Sequence, residues 1–286
     1  MQFGIKDDLK TWPEIKDYLQ LFVSDWCFRG QRDAAWGLKT SLERATTRVY
    51  NVMAEHTVYR NFTRNAHNYL QAHQIPVDLL EWFALMQHHG APTRLLDWTA
   101  SPYVACFFAA EDALDENGSC AVWAVDTSWC KVEGCHVIRR HLANDPRYKD
   151  FKVRSYVWED SEFRKIFDEE KIPLVMPAEP YRRNERLTIQ SGLFLCPGDP
   201  NKGFEGNFGG YDQTALPKHL IKVVIPNKLR VEILTDLYYM NINRATLFPG
   251  IDGFSQSLKQ AILNLEDHGL IHKKIQRRMQ LGAPFF

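Results

Sequence analysis

The sequence predicts an α+β protein, and two kinds of pattern support this fold class. Apolar side chains recur at helical spacing around Thr11–Phe22 and again after Asp78, where Glu81 stands at the capping-box position. Short apolar runs bounded by turn residues, such as Ser119–Val125 and Leu220–Ile225, are typical of strands. Together the two patterns favour a sheet with flanking helices.

The chain is expected to form one domain, because no repeat, low-complexity tract or Ser/Gly-rich linker divides its 286 residues. We place the core at about 24–263, an N-terminal helix within 1–23 and a basic tail at 264–286. The last predicted helix uses Phe254, Leu258, Ile262 and Leu265.

An early strand is predicted at Asp25–Gln31, and its alternation places Arg29 and Gln31 on one face with Cys27. Arg29 is a candidate phosphate ligand because a guanidinium binds phosphate in bidentate fashion. Gly30 beside it would let a ligand approach the backbone. The alternative for Arg29 is a structural ion pair.

A later strand is predicted at Arg186–Leu195, where alternation places Arg186 and Gln190 on a common face. These side chains would bind phosphate and orient a sugar hydroxyl or an attacking group, respectively. A solvated face of an edge strand is an equally good interpretation.

The segment Gln87–Pro102 concentrates polar chemistry within sixteen positions. The helix expected to begin at Ser101–Pro102 would present free backbone N–H groups to an anion such as a pyrophosphate. The candidate side chains of this segment are His88, His89, Arg94, Asp97, Thr99 and Ser101.

Local stabilisation is the alternative for the same segment. Under it, His88 and His89 complement the end of their helix, Ser101 is only a cap, and Arg94 pairs with Asp97. Each role is common when taken singly, but the concentration of polar groups modestly favours a pocket.

Composition excludes several classes of protein. The 35 Lys and Arg residues balance the 35 Asp and Glu residues, so no global charge favours nucleic acid or a membrane surface. The basic stretch Ile271–Arg278 is short, and a solvated tail is the favoured interpretation. Apolar stretches are too short to span a bilayer, and we expect no membrane partner.

The first residues lack a basic start followed by an apolar run, so we expect no signal peptide and a cytoplasmic location. The six cysteines are then expected to be reduced thiols. Cys130, Cys135 and His136 lack a second ligand pair at zinc spacing, and we predict no metal site. P-loop, dinucleotide-fingerprint, HExxH and Gly-x-Ser-x-Gly motifs are absent from the sequence.

Several ordered motifs resemble the FRG-domain family, which is named for a Phe-Arg-Gly motif. The resemblance runs from about Ser24 to Leu263. Its blocks are Phe28–Gln31, the Trp36–Arg44 stretch, Gln87–Ala109, Arg186–Phe194 and Leu247–Gly253. The resemblance implies an intracellular bacterial or phage-associated protein with a role in conflict between phage and host.

We also hypothesise a mixed, largely antiparallel split sheet similar to that of ADP-ribosyltransferases, which bind NAD. In that analogy Arg29 binds NAD phosphate or ribose, Thr99 and Ser101 support the nicotinamide pocket, and Gln190 occupies the position of the usual catalytic glutamate. The remaining candidates for nucleotide binding are Gln31, Arg94 and Arg186.

A glutamine at that position is a departure, because an amide cannot act as a general base. The carboxylate role would fall to Asp97 or Glu185, with His88 or His89 as the proton acceptor.

The leading hypothesis is therefore an ADP-ribosyltransferase-like enzyme that takes NAD as co-substrate and modifies a nucleobase or a protein side chain. The alternative is a non-catalytic sensor or inhibitor module that binds a nucleotide, nucleic acid or protein partner in the same pocket. A metal-dependent nuclease is a weaker hypothesis, because no carboxylates in the sequence cluster at the spacing of metal ligands.

Overall fold

A computed structural model describes residues 2–22, 24–46, 51–113, 115–153 and 155–258. One seven-stranded sheet forms the centre, in the order β1-β7-β4-β2-β3-β6-β5. Among the strands of the described residues, β1 and β7 pair in parallel and the other neighbours are antiparallel. The predicted α+β class and the largely antiparallel sheet are confirmed. The strands are β1 (Gly4–Lys6), β2 (Trp26–Gln31), β3 (Leu96–Thr99), β4 (Ser119–Asp126), β5 (Val175–Ala178), β6 (Gly192–Pro197) and β7 (Leu220–Pro226).

Helices cover both faces of this sheet, and a π-helical turn at Arg164–Glu169 follows α7. Residues 251–258 are also helical, whereas Ile262, Leu265 and the predicted basic tail lie outside the described residues. The helices are α1 (Trp12–Leu19), α2 (Ser41–Ala45), α3 (Asn51–Ala66), α4 (Leu79–His88), α5 (Pro102–Ala110), α6 (Thr127–His141), α7 (Asp160–Phe163), α8 (Glu185–Ile189), α9 (Gly203–Gly206), α10 (Leu216–His219), α11 (Arg230–Tyr239) and α12 (Arg244–Leu247). None of the described helices is both long and apolar enough to cross a membrane.

The sheet consists of two halves that meet at a single residue pair. Phe28 of β2 pairs with Thr99 of β3, whereas β2 and β4 share six pairs and β3 and β6 share four. Beyond Phe28 and Thr99 the two strands separate. The gap between them positions the cleft described below.

Two apolar cores hold the sheet from its opposite faces. On one face, Phe28 packs with Trp12 of α1 and Phe107 of α5. On the other face, Trp98 and Trp123 pack with α4 and α6. The large aromatic side chains that are buried on both faces hold β2, β3 and β4 in the centre of the structure.

Gly30 is needed for packing. A Cβ atom at this position would lie 2.1 Å from the carbonyl oxygen of Ala105 and 2.5 Å from the amide nitrogen of Ala109, both in α5. The absence of a side chain therefore lets α5 lie directly against β2. The approach of a ligand to this glycine stays a prediction.

The predicted strand at Arg186–Leu195 is partly wrong. Its first half is helix α8, because Asn184 caps that helix by accepting a hydrogen bond from the amide of Leu187 at 2.8 Å. Ser191 then takes a positive φ of 47°, and the strand begins at Gly192. Arg186 and Gln190 consequently do not share a strand face.

Candidate functional site

A cleft of about 970 Å³ lies where β2 and β3 separate. Its walls are β2, β3, the segment 32–39 that follows β2, the C-terminal end of α4, and α8. The cleft therefore collects residues from distant parts of the sequence.

The charge of the cleft is predominantly positive. Among the described residues, its carboxylates are Asp97 and Asp112. Five permanent cations line the same space, an excess that favours an anionic ligand. These cations are Arg29, Arg32, Lys39, Arg44 and Arg186.

Arg29 projects from β2 at the point where the strands separate. Its Nη1 donates to the carbonyl oxygen of Asp97 at 2.7 Å. Its Nε is buried and finds no acceptor among the described residues. Burial lowers the pKa of Arg29, and the charge of Asp97 partly opposes that effect. A buried donor without an acceptor costs free energy.

Trp98 gives a second donor of this kind. Its side chain is 3% exposed and lines the cleft, and its Nε1 has no acceptor among the described residues. Trp98 and Arg29 thus leave two N–H groups unsatisfied beside one cavity. Both fit a ligand that is rich in hydrogen-bond acceptors.

Asp97 is held by Gln87, which is not among the site residues predicted from the sequence. Gln87 Nε2 donates to Asp97 Oδ2 at 2.7 Å, and its Oε1 accepts from Thr93 Oγ1 at 2.6 Å. The second bond fixes which end of the amide faces Asp97. Gln87 directly precedes His88 in the polar segment Gln87–Pro102. This position is the sequence signal that could have identified Gln87 as a site residue.

His88 lines the cleft and His89 does not. The two rings meet edge to face at 4.9 Å. Partial burial lowers the pKa of His88, and the nearby charges of His89 and Arg186 lower it further. The lowered pKa favours the neutral imidazole of His88, whereas His89 is the C-cap residue of α4.

Thr99 and Ser101 have structural roles. Thr99 Oγ1 donates to the carbonyl oxygen of Gln190 at 2.7 Å and accepts from the amide of Ser101 at 3.0 Å. Ser101 Oγ accepts from the amide of Val104 at 3.3 Å, which confirms the predicted cap. Ser101 does not line the cleft, whereas Thr99 does. The start of α5 is thus capped by the chain itself.

Arg186 enters the cleft from the first turn of α8. Its guanidinium lies 4.5 Å from the ring centroid of Phe248, and Arg244 lies at the same distance from that ring. Arg244 is in turn bound by Glu111, at 2.7 and 2.6 Å. Burial lowers the pKa of Arg186. The contact with the Phe248 ring therefore holds the guanidinium of Arg186 in place.

Gln190 lies at the end of α8 and lines the cleft. Its Nε2 donates to the carbonyl oxygen of Leu247 at 2.9 Å. Gln31 also lines the cleft, but both ends of its amide are engaged, with Trp123 Nε1 at 2.8 Å and the carbonyl oxygen of Gly37 at 3.1 Å. Gln31 therefore has a structural role and supports the wall of the cleft.

Arg94 lies in the core and does not line the cleft. Its side chain is 1% exposed and forms a buried ion pair with Glu55 of α3, with Nε to Oε1 at 2.7 Å. Its Nη1 also donates to the carbonyl oxygens of Phe167 and Gly198. The partner is thus Glu55 rather than Asp97, and the saturated guanidinium has no role in binding a ligand.

The described residues contain no group of three His, Cys, Asp or Glu side chains that could hold a metal ion. All six cysteines are buried free thiols. Burial raises the pKa of these thiols, to about 12 for Cys120, so they are poor nucleophiles. The chemistry of the cleft therefore depends on guanidinium, carboxylate, imidazole and amide groups.

The fold and the site define an α+β protein with a cationic cleft between two halves of one sheet. Residues 24–118, a third of the chain, match the model of the FRG domain. The Phe28–Gln31 and Gln87–Ala109 motifs lie inside the match, and the blocks at Arg186–Phe194 and Leu247–Gly253 lie beyond it. Comparisons with curated proteins and with solved structures gave no match.

Proposed function

We propose that the cleft binds a nucleotide with a pyrophosphate group, with NAD as the expected ligand. The observation that carries this proposal is Arg29, whose Nε is buried without an acceptor in a cleft with five cations and two carboxylates among the described residues. Arg186, fixed by Phe248, supplies a second guanidinium. Bidentate guanidinium groups are well suited to phosphate oxygens.

We further propose that the protein is an ADP-ribosyltransferase-like enzyme. In this reaction the bond between nicotinamide nitrogen and ribose C1′ breaks, and its electron pair leaves with nicotinamide. An acceptor nucleophile then forms a bond to C1′ and loses its proton. Asp97 would stabilise the positive charge on the ribose, and the neutral His88 would accept the proton.

The choice of Asp97 over Glu185 as the carboxylate rests on position. Asp97 lines the cleft, and Gln87 orients it at 2.7 Å. Glu185 is exposed on α8 and does not line the cleft. The two residues therefore form a matched pair for a test.

The experiment measures nicotinamide released from NAD by the purified protein, alone and with DNA, RNA or a cell lysate as the source of acceptors. We expect release that is lost in Asp97→Asn and in Arg29→Ala and retained in Glu185→Gln. Equal loss in Asp97→Asn and Glu185→Gln would overturn the assignment of Asp97. An unchanged melting temperature in each variant would establish that the fold is intact.

A non-catalytic nucleotide-binding module is the second candidate. The observation that favours it is Gln190, an amide at the position assigned to the catalytic glutamate, whose Nε2 is engaged with Leu247. This candidate predicts saturable binding of NAD to a folded protein with no release of nicotinamide under any of the conditions above.

A further inference from the structure

An exposed tryptophan stands in the wall of the cleft. Trp36 lines the cavity and is 44% exposed, although tryptophan is a large apolar side chain. The guanidinium of Arg32 lies 5.0 Å from its ring centroid. An aromatic surface left this open beside a cationic cleft resembles the stacking surfaces that bind nucleic-acid bases.

Buried polar groups hold the backbone around Trp36 in place. Lys222 of β7, only 7% exposed, donates from Nζ to the carbonyl oxygens of Ala34 and Trp36, at 3.0 Å for the latter. Gln31 holds the carbonyl oxygen of the next residue, Gly37. Glu205 of α9 accepts from the amide of Leu38 at 2.7 Å.

These contacts have an energetic cost. Burial of an ammonium group is unfavourable, and burial accordingly lowers the pKa of Lys222. The fold thus uses a buried lysine, a buried glutamine and a carboxylate to fix a segment whose most prominent side chain, Trp36, remains open to solvent. A backbone that is fixed in advance at Trp36 reduces the entropy lost when a ligand stacks on its ring.

The position of Trp36 relative to the donors suggests the kind of ligand. Arg29 and Trp98 line the same cavity as Trp36, and their unsatisfied N–H groups suit phosphate or sugar oxygens. A purely apolar ligand would leave these donors and the surrounding cations unpaired. A ligand with both a flat heterocycle and phosphate groups would satisfy both parts of the cleft.

We propose that Trp36 is the stacking surface for the nucleobase of the bound nucleotide, so that the cleft selects nucleotides over phosphate or pyrophosphate alone. This inference rests on the proposed function and deepens it by assigning the base subsite. Purines are expected to bind better than pyrimidines because their larger ring system offers more stacking area.

The experiment compares ADP with inorganic pyrophosphate by isothermal titration calorimetry on the full chain. For Trp36→Ala we expect ADP affinity to fall by about 5- to 100-fold, the usual effect of losing one base-stacking aromatic, and pyrophosphate affinity to stay unchanged. Trp36→Phe should keep most of the ADP affinity. Tyr239→Ala, at a 79% exposed aromatic on α11 that does not line the cleft, is the control.

The outcomes separate the base subsite from the cleft itself. Unchanged ADP affinity in Trp36→Ala, or equal losses for ADP and pyrophosphate, would overturn the base subsite and leave the nucleotide-binding proposal standing. Failure of the wild-type protein to bind either probe would overturn both proposals. Melting temperatures of the variants identify any general loss of folding.

Discussion

Arg29 and Asp97 are joined across the opening of the sheet, with Nη1 of the arginine donating to the carbonyl oxygen of the aspartate at 2.7 Å. This bond connects β2 to β3 just past their single residue pair. It anchors one end of the guanidinium while Nε remains without an acceptor. The side chain is thus oriented before any ligand arrives.

Arg29→Lys should weaken NAD binding by about 10- to 100-fold, because lysine keeps the charge but loses the fork of donors. Calorimetric titration with NAD measures the effect. Arg147→Lys, at an exposed arginine paired with Asp145, serves as the control and should bind normally. Equal affinity in the two variants would contradict the role given to Arg29.

Arg94→Met should destabilise the protein by about 3–5 kcal/mol, because it leaves the buried carboxylate of Glu55 without its partner. Urea denaturation measures this loss. The double variant Arg94→Met with Glu55→Leu should recover part of it, but not all, because the carbonyl oxygens of Phe167 and Gly198 still lose their donor. A stable single variant would show that the pair is dispensable.

Gly30→Ala should lower stability by at least about 1–3 kcal/mol, because its Cβ would collide with backbone atoms of α5 that cannot rotate away. The matched control is Gly209→Ala, since a Cβ there meets nothing within 4 Å. Thermal unfolding of both variants provides the comparison. Similar melting temperatures would mean that α5 shifts easily away from β2.

His88 should titrate below the ordinary histidine pKa of about 6.5. Between the folded pKa and about pH 6.5, the unfolded chain binds more protons than the folded protein, so stability falls as the pH falls through this window. NMR titration of the imidazole signals, assigned with His88→Gln, gives the pKa directly. A midpoint above 6.5 would contradict the partial burial of the ring.

The proposed reaction provides a second test of His88. If His88 accepts the proton, the rate of nicotinamide release should decline only below about pH 6.5. The acid limb should disappear from the residual activity of His88→Gln. An unchanged pH profile would assign the proton acceptor elsewhere.

Phe248→Leu should weaken NAD binding by about 2- to 30-fold, because it removes the aromatic surface that fixes Arg186 and Arg244. Calorimetric titration with NAD provides the measurement. Phe254→Leu, at an exposed aromatic in the same part of the chain, is the control. An effect on stability alone would limit Phe248 to packing.

Locally encoded features were predictable from the sequence. The cap at Ser101 and the helix at Trp12–Leu19 depend on neighbours within a few positions, and both agree with the structure. The strand β4 likewise follows from a continuous apolar run. Features of this kind are determined by residues that lie close together in the sequence.

The remaining features depend on partners far along the chain. Arg94 pairs with Glu55, 39 positions away, and no local pattern distinguishes this partner from the nearby Asp97. Gly30 owes its role to contact with α5, which only the folded sheet creates. The strand predicted through Arg186 failed because the alternation of apolar residues continued across a capped helical turn.

The two halves of the sheet share the single pair between Phe28 and Thr99 and the bond from Arg29 to Asp97. Backbone pairing holds each half together, whereas the joint between the halves also depends on the side chains of the two apolar cores. A substitution in either apolar core, far from any ligand, can therefore change the width of the cleft. If the proposed function holds, substitutions at positions that never touch the ligand would then change its affinity.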